Sequence, residues 1–301
     1  MCGIVGYFDK TTANQTAVGE RLLKMLEALA CRGPDSAGVA MFGSHPPRYL
    51  VAQVKLGDGD NLAERAQLVT GLAKEFGGEQ FSQADAYLRF IFKEVDNLKP
   101  FLSKIESVGH DVEVVSVGRR LEIVKEVGSP GRLEKAFHVS KFQGKYGIGH
   151  TRLSTESVVD LSHSQPFWGH GYADLAIVHN GHITNYHQLR RIYEQRGVRF
   201  YTENDSEIVA TFLADKLRQG KDLEAALQSM IIELDGSFSC LAATDKAFGF
   251  VKDPFSFKPL LFAETDQFVA VATEEVALRG AIPGNYSARE AQAREVKVWQ
   301  T

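Results

Sequence analysis

The sequence has little of several features that would place it in particular protein classes. Its 301 residues hold only three cysteines, Cys2, Cys31 and Cys240, and this odd number and wide spacing argue against a disulfide framework or a paired-cysteine metal site. No apolar run approaches the roughly eighteen residues that span a membrane, and no secretory signal precedes the first apolar segment. A net charge of −4 gives no basic footprint for nucleic acid. We therefore expect a cytoplasmic protein with no nucleic-acid or membrane partner.

The first residues, Met1 to Gly6, carry unusual chemistry in a short segment. If Met1 is removed, Cys2 presents a thiol and a free α-amino group on one residue. Their reference pKa values are about 8.5 for the thiol and about 8 for the amine, so near neutral pH the amine can accept the thiol proton. The apolar residues that follow predict a strand that would hold this end of the chain in a sheet. The alternative is that a cysteine so close to the terminus has no chemical role.

Strands at both ends of the chain flank a block of amphipathic helices, a pattern that predicts an α+β fold with helices packed outside sheets. The main body, residues 2–301, is interrupted at about 54–145 by a compact α+β region without a catalytic constellation. In that region we predict helices over 61–76 and 85–98, the second ended by Pro100, and strands over 112–117 and 121–126. We interpret the region as a structural or partner-docking insertion.

Two charged residues near predicted element ends have chemistry suited to an amino-acid head group. Arg152 follows a predicted strand, and a guanidinium can bind a carboxylate with two parallel hydrogen bonds. On spacing alone, a surface salt bridge is the favoured interpretation. Asp205 could hold an ammonium group, but it also stands where a helix N-cap is expected.

The dipeptide Asn180-Gly181 follows an apolar strand predicted over 175–179. The Asn side-chain amide and the Gly backbone N–H could form a donor pair for a developing oxyanion. The same dipeptide is typical of a type I′ hairpin turn, and the residues alone favour the turn.

The remaining polar segments give weaker evidence of a functional site. The loop from Arg32 to Gly38 contains glycine and is basic at one end, but it lacks the pattern of a phosphate-binding loop. Four histidines are too irregularly spaced to predict a metal site: His163, His170, His179 and His182. Taken together, these candidate groups suit one type of substrate, an α-amino acid with a side-chain amide. They are a nucleophile with its own base, a donor pair for an oxyanion, a guanidinium for a carboxylate and a carboxylate for an ammonium group.

At this point the sequence resembles the class II glutamine amidotransferases, whose glutaminase domain belongs to the N-terminal nucleophile hydrolases. The matching segments follow one another in order and cover nearly the whole chain outside the predicted insertion. They are Cys2-Gly3-Ile4-Val5-Gly6-Tyr7, Arg32-Gly33-Pro34-Asp35-Ser36-Ala37-Gly38, Gly149-His150-Thr151-Arg152-Leu153-Ser154-Thr155, His179-Asn180-Gly181, Glu203-Asn204-Asp205-Ser206-Glu207 and Asp253-Pro254 with Lys258-Pro259-Leu260.

The resemblance implies a four-layer αββα fold, in which two antiparallel sheets stack between layers of helices. It also implies roles for individual residues, which we state as expectations. Cys2 would attack the glutamine amide with its α-amine as base, and Asn180 and Gly181 would stabilise the oxyanion. Arg152 would bind the α-carboxylate of glutamine, Asp205 would bind its α-ammonium group, and Thr155 would line the substrate pocket.

Nothing in the chain resembles a synthase domain, and a free glutaminase would waste glutamine. We therefore expect a subunit of a hetero-oligomer that passes ammonia to a separate synthase chain, similar to glutamate synthase or N-methylglutamate synthase systems. We expect no cofactor or metal on this chain, and FMN on the partner. Two alternatives stay open: an N-terminal-cysteine amidohydrolase for another amide, and a non-catalytic module that senses glutamine or binds a partner.

Overall fold

The computed structural model describes residues 2–11, 17–43, 48–154 and 158–301. Within them the strands are β1 (Gly3–Asp9), β2 (Ser36–Phe42), β3 (Tyr49–Lys55), β4 (Glu79–Ala84), β5 (Tyr87–Lys93), β6 (Glu113–Gly118), β7 (Leu121–Val127), β8 (Tyr146–Arg152), β9 (Phe167–Trp168), β10 (Ala176–Ile183), β11 (Gly236–Ala243), β12 (Ala247–Lys252), β13 (Leu261–Glu264), β14 (Phe268–Ala272), β15 (Ala288–Glu290) and β16 (Val296–Gln300). The helices are α1 (Val18–Ala28), α2 (Leu62–Glu75), α3 (Lys99–Glu106), α4 (Pro130–Phe137), α5 (Tyr186–Gln195), α6 (Asp205–Arg218), α7 (Leu223–Glu233) and α8 (Glu275–Ala281).

The first strand lies in the middle of a seven-stranded sheet, whose order is β15-β13-β14-β1-β8-β2-β7. Strand β1 pairs antiparallel with β14 on one side and β8 on the other, with Gly3 opposite Thr151 and Val5 opposite Ala272. Every residue of β1 is buried. Backbone pairing on both sides therefore holds the residues after Cys2 in place, as the sequence predicts.

The second sheet has five strands in the order β16-β12-β11-β10-β9 and stacks on the first. The core between them takes Ile4 and Phe8 from the seven-stranded sheet and Val178 and Phe248 from the five-stranded one. At Gly6 the sheets approach so closely that a Cβ would lie 2.8 Å from a Phe248 ring carbon. A glycine is needed there because the ring occupies the space of a side chain.

Helices cover the outer faces of both sheets. Leu22 and Leu26 of α1 and Leu278 of α8 pack on the seven-stranded sheet. Residues of α6 and α7, including Phe212 and Leu227, pack on the five-stranded sheet. The layers are thus helices, sheet, sheet and helices, which confirms the expected four-layer fold.

A third sheet, of order β4-β5-β3-β6, differs from the prediction for residues 85–98. That segment does not form a helix, because Phe90 and Phe92 belong to β5 and pack against Phe101 of α3. Pro100 lies in the first turn of α3 rather than ending a helix, a position where its missing N–H is tolerated. The sheet begins at Tyr49, before the predicted boundary, and β7 joins the seven-stranded sheet. That residues 54–145 are an insertion stays a prediction.

No helix among the described residues combines the length and the apolar character that crossing a bilayer requires.

Replacing Trp299 by Ala should lower the free energy of unfolding by about 3–5 kcal/mol. Its indole stacks on Phe248 with ring centroids 5.8 Å apart, contacts Phe262 of the other sheet, and donates from Nε1 to Glu264 Oε1 at 2.8 Å. Urea unfolding followed by circular dichroism measures the loss. Trp299→Phe, which keeps an aromatic ring, should lose clearly less, and equal losses would contradict this role of the indole.

Candidate active site

Cys2 directly precedes β1 and is partly exposed. The backbone N–H of Leu153 donates to its Sγ over 3.3 Å, and Sγ lies 3.5 Å from the Leu153 carbonyl oxygen, to which a thiol can donate. The sulfur therefore has a donor that stabilises a thiolate and an acceptor that suits the thiol. This donor comes from the residue that follows β8, the strand paired with β1.

The side chain of Asn180 reaches Cys2 from the other sheet. Its Nδ2 donates to the Cys2 carbonyl oxygen at 3.2 Å, and its Oδ1 lies 3.0 Å from Nε2 of His150. Asn180 lies inside β10, opposite Ser239 of β11. The hairpin-turn interpretation of Asn180-Gly181 is therefore wrong, because the strand continues to Ile183.

Gly181 has a backbone conformation that L side chains rarely adopt, with φ of +148°. A Cβ at this position would lie 2.1 Å from the Ser237 carbonyl oxygen of the neighbouring strand. Both observations explain why glycine stands here inside a paired strand.

Arg152 is the last residue of β8 and is only 4% exposed. Its Nη1 donates to the Val158 carbonyl oxygen at 2.9 Å, and its Nη2 lies 3.4 Å from Ser154 Oγ. Burial lowers the pKa of the guanidinium, and the carboxylates of Asp160 and Asp35, like a Cys2 thiolate, act in the opposite direction. The interpretation of Arg152 as part of a surface salt bridge is wrong, because the side chain is buried at the wall of a cavity.

Asp205 is the first residue of α6, and the helix cap is its neighbour Asn204, whose side chain accepts from the Ser206 backbone N–H at 3.0 Å. The Asp205 carboxylate is thus not used for capping. Its Oδ2 accepts from the Ile183 backbone N–H at 2.9 Å, and its Oδ1 lies 3.7 Å from His179 Nδ1.

These side chains border one cavity of about 610 Å³. Of the six residues predicted from the sequence, five line it: Cys2, Arg152, Asn180, Gly181 and Asp205. The sixth, Thr155, lies outside the described residues. The cavity joins a thiol, amide and guanidinium donors and a carboxylate, the groups that an amide-bearing amino acid would contact.

A buried polar network that the sequence did not predict fixes the wall between β10 and α6. The Gln165 side chain accepts from the His179 N–H at 2.7 Å and donates from Nε2 to the His179 carbonyl at 2.8 Å and to Ser206 Oγ at 3.1 Å. His179 Nδ1 lies 2.9 Å from the same hydroxyl. Because Ser206 follows Asp205, this network sets the distance between Asp205 and Asn180.

The loop from Arg32 to Gly38 braces the site and does not resemble a phosphate cradle. Arg32 donates from Nε to the Cys2 carbonyl at 3.3 Å and is paired with Glu274. Asp35 accepts from the Ser154 N–H at 2.7 Å, beside the residue that contacts the sulfur. The basic end of the loop is thus committed to protein groups.

Two buried histidines stand beside the catalytic candidates. Burial lowers the pKa of His150 to about 3, against a smaller opposite effect of its bond with Asn180, and burial also lowers the pKa of His179. Both rings are therefore neutral near pH 7. In the described parts of the chain, no group of three or more His, Cys, Asp and Glu residues could hold a metal ion.

Comparisons with known proteins all indicate the same family. A family model for a glutamine amidotransferase domain matches residues 150–280. A candidate glutamine amidotransferase of Methanothermobacter thermautotrophicus is 36% identical over 287 residues, which are 93% of this chain and 93% of that protein. The glutamine amidotransferase-like protein GlxB of Rhizobium meliloti is 36% identical over 301 residues, 99% of this chain and 98% of that protein.

A solved structure shows the same fold. The glutamine phosphoribosylpyrophosphate amidotransferase of B. subtilis superimposes with a TM-score of 0.60 at 20% identity, over 99% of this chain and 49% of that one. At this identity the likeness bears on the fold alone, and it agrees with the four layers described above.

Stability should fall with pH below neutrality in part because of His150. In the unfolded chain its pKa is about 6.5, and in the folded protein it is about 3, so the unfolded state binds the extra proton between these values. This side chain alone should cost about 2 kcal/mol of stability at pH 5 relative to pH 8. Urea unfolding of wild type and His150→Gln across pH 5–8 measures the difference in slope, and identical slopes would contradict a buried neutral ring.

Proposed function

Because the chain belongs to the class II glutamine amidotransferases, we propose that it hydrolyses the side-chain amide of L-glutamine and passes the ammonia to a separate synthase subunit. The observation that supports this most directly is the single cavity shared by Cys2, Arg152, Asn180, Gly181 and Asp205. The cavity presents a thiol that can act as nucleophile. It also presents a guanidinium and a carboxylate, which suit the α-carboxylate and the α-ammonium of an amino acid.

In the proposed reaction Met1 is absent and the Cys2 α-amine takes the thiol proton. The sulfur attacks the amide carbon of glutamine, and the resulting tetrahedral intermediate expels ammonia as the amine returns the proton to the leaving nitrogen. Water, activated by the same amine, then hydrolyses the γ-glutamyl thioester to glutamate and frees the thiol. The Leu153 N–H, 3.3 Å from Sγ, stabilises the thiolate before each attack.

Asn180 and Gly181 are the proposed oxyanion donors. A side-chain amide has two N–H groups, and donation from Asn180 Nδ2 to the Cys2 carbonyl uses one of them. The second is available to an oxyanion formed next to Cys2. Donors fixed in advance lower the barrier because no reorganisation is needed when the charge develops.

Arg152 and Asp205 are proposed to bind the α-carboxylate and the α-ammonium of glutamine, with Thr155 at the pocket wall. Arg152 is held in place by Val158 and Ser154, which orients its guanidinium before substrate binds. Asp205 keeps its carboxylate at the cavity through the Ile183 N–H. Such fixed groups select a free amino acid over an amide without a head group.

For the ammonia acceptor we propose a synthase chain of the glutamate synthase or N-methylglutamate synthase type, with FMN on that partner, in a cytoplasmic hetero-oligomer. The sizes of the relatives support a separate partner. This chain aligns with nearly all of GlxB, but with only 36% of an amidophosphoribosyltransferase of M. thermautotrophicus, over 179 residues at 31% identity. A reducing compartment would keep the Cys2 thiol free.

Cys2→Ala should reduce glutamate release from glutamine at least about a thousandfold, because removing a nucleophile leaves only binding and oxyanion contributions. The assay is glutamate formation by purified protein, alone and with the partner that co-purifies from the native source. Cys31→Ala is the matched control and should keep full activity, since Cys31 is exposed and does not line the cavity. Normal turnover by Cys2→Ala would refute the mechanism.

Arg152→Lys should raise the KM for glutamine by roughly 10- to 100-fold with a smaller effect on kcat, because a lysine cannot make the two parallel bonds to a carboxylate. Steady-state kinetics of the glutaminase reaction provides the measurement. Arg191→Lys, at an exposed position of α5, should leave KM unchanged. An unchanged KM in Arg152→Lys would instead favour an amide substrate without an amino-acid head group.

A further inference from the structure

We propose that His150 is a positioning residue, whose Nε2–H holds the Asn180 amide with its NH₂ group towards Cys2. This inference rests on the proposed function, in which that NH₂ group stabilises the oxyanion. His150 itself does not line the cavity and would act only through Asn180.

The Asn180 amide lies between two groups that require opposite ends of it. Its Oδ1 is 3.0 Å from His150 Nε2, and its Nδ2 is 3.2 Å from the Cys2 carbonyl oxygen. Turning the amide over would place Oδ1 against that carbonyl, where two acceptors repel each other. It would also remove both N–H groups from the nucleophile, so the orientation of this one side chain decides whether the site has its donor.

The tautomer of His150 determines which orientation is stable. Nδ1 is buried and has no hydrogen-bond partner among the residues that the structure describes. A proton on Nδ1 would bury an unsatisfied N–H and would turn the Nε2 lone pair towards Asn180 Oδ1. With the proton on Nε2, only an acceptor lone pair stays unpaired, and buried acceptors without a partner are less rare than buried donors. The hydrogen-bond network therefore assigns the Nε2–H tautomer.

The ring keeps this role over the working pH range because it does not titrate there. His150 is 1% exposed, and burial is the largest cause of its low pKa, with further lowering by the positive charge of Arg152. A neutral ring with one fixed N–H neither carries a charge into the site nor exchanges protons with substrate. It is thus an orienting donor and not a general acid or base.

The position of His150 in the sheet makes this contact a link between the two halves of the site. On β8 it lies opposite Ile4 of β1, two residues after Cys2, and opposite Gly38 of β2. Asn180 belongs to the other sheet. The imidazole therefore connects the oxyanion donor to the strand beside the nucleophile. Any shift between the sheets would change the length of this hydrogen bond.

Three variants and a double-mutant cycle test the proposal. His150→Leu removes the donor and should lower kcat for glutamine hydrolysis by roughly 10- to 100-fold, up to the loss expected for an oxyanion donor, with KM within about threefold. His150→Gln can donate from its own amide and should restore kcat to within about fivefold of wild type. In an Asn180→Ala background His150→Leu should cause no further loss, because both act through one group.

Additive losses in the cycle, or no rescue by His150→Gln, would overturn the proposal and leave His150 a packing residue. A measurement on the wild-type protein tests the proposal even if His150→Leu does not fold. Long-range ¹H–¹⁵N correlation spectra of histidine-labelled wild type should show the Nε2–H tautomer for His150 between pH 6 and 8, and the Nδ1–H tautomer would refute the inference. Because this measurement needs no turnover, it stands apart from a failure of glutamine hydrolysis by wild type, which would refute the proposed function.

Discussion

The hydrogen bond from Asn180 to the Cys2 carbonyl is the contact on which the site depends, because it joins the two sheets at the proposed nucleophile. Cys2 precedes the central strand of the seven-stranded sheet, and Asn180 lies within the five-stranded one. Neither sheet alone contains a nucleophile together with its proposed oxyanion donor. The stacking of the sheets, set by a core that includes Phe8 and Phe248, therefore fixes the geometry of the proposed active site as well as the fold.

Buried polar groups hold this contact at both ends. On one side Arg32 donates to the same Cys2 carbonyl, and Asp35 fixes the backbone next to the sulfur's donor. On the other, Gln165 binds the backbone of β10 immediately before Asn180. Buried polar groups are costly unless they are paired, so an arrangement in which most are satisfied resists displacement of Cys2 or of Asn180. His150 completes the arrangement by connecting the Asn180 amide to the first sheet.

Local sequence patterns predicted the elements whose residues carry a clear periodicity. They failed where contacts between residues far apart in the sequence determine the local structure. The apolar run after Cys2 was sufficient to predict strand β1, and the pattern of residues 61–76 was sufficient to predict helix α2. Residues 85–98 formed strand β5 and not a helix because their aromatic side chains pack on α3, which no local pattern indicates. Asn180-Gly181 has the sequence of a turn, yet pairing with β11 keeps it extended. The contacts of His150 and Gln165 depend on how sheets stack, so only the structure could identify them.

The central claim is that Cys2, as the first residue of the mature chain, is the nucleophile for glutamine. The most direct measurement is peptide-level mass spectrometry of protein inactivated by the diazo-ketone analogue of glutamine, with glutamine as the protecting ligand. We expect an N-terminal peptide that lacks Met1 and carries the adduct on Cys2, formed more slowly when glutamine is present. An adduct on Cys31 or Cys240, or active protein that retains Met1, would contradict it.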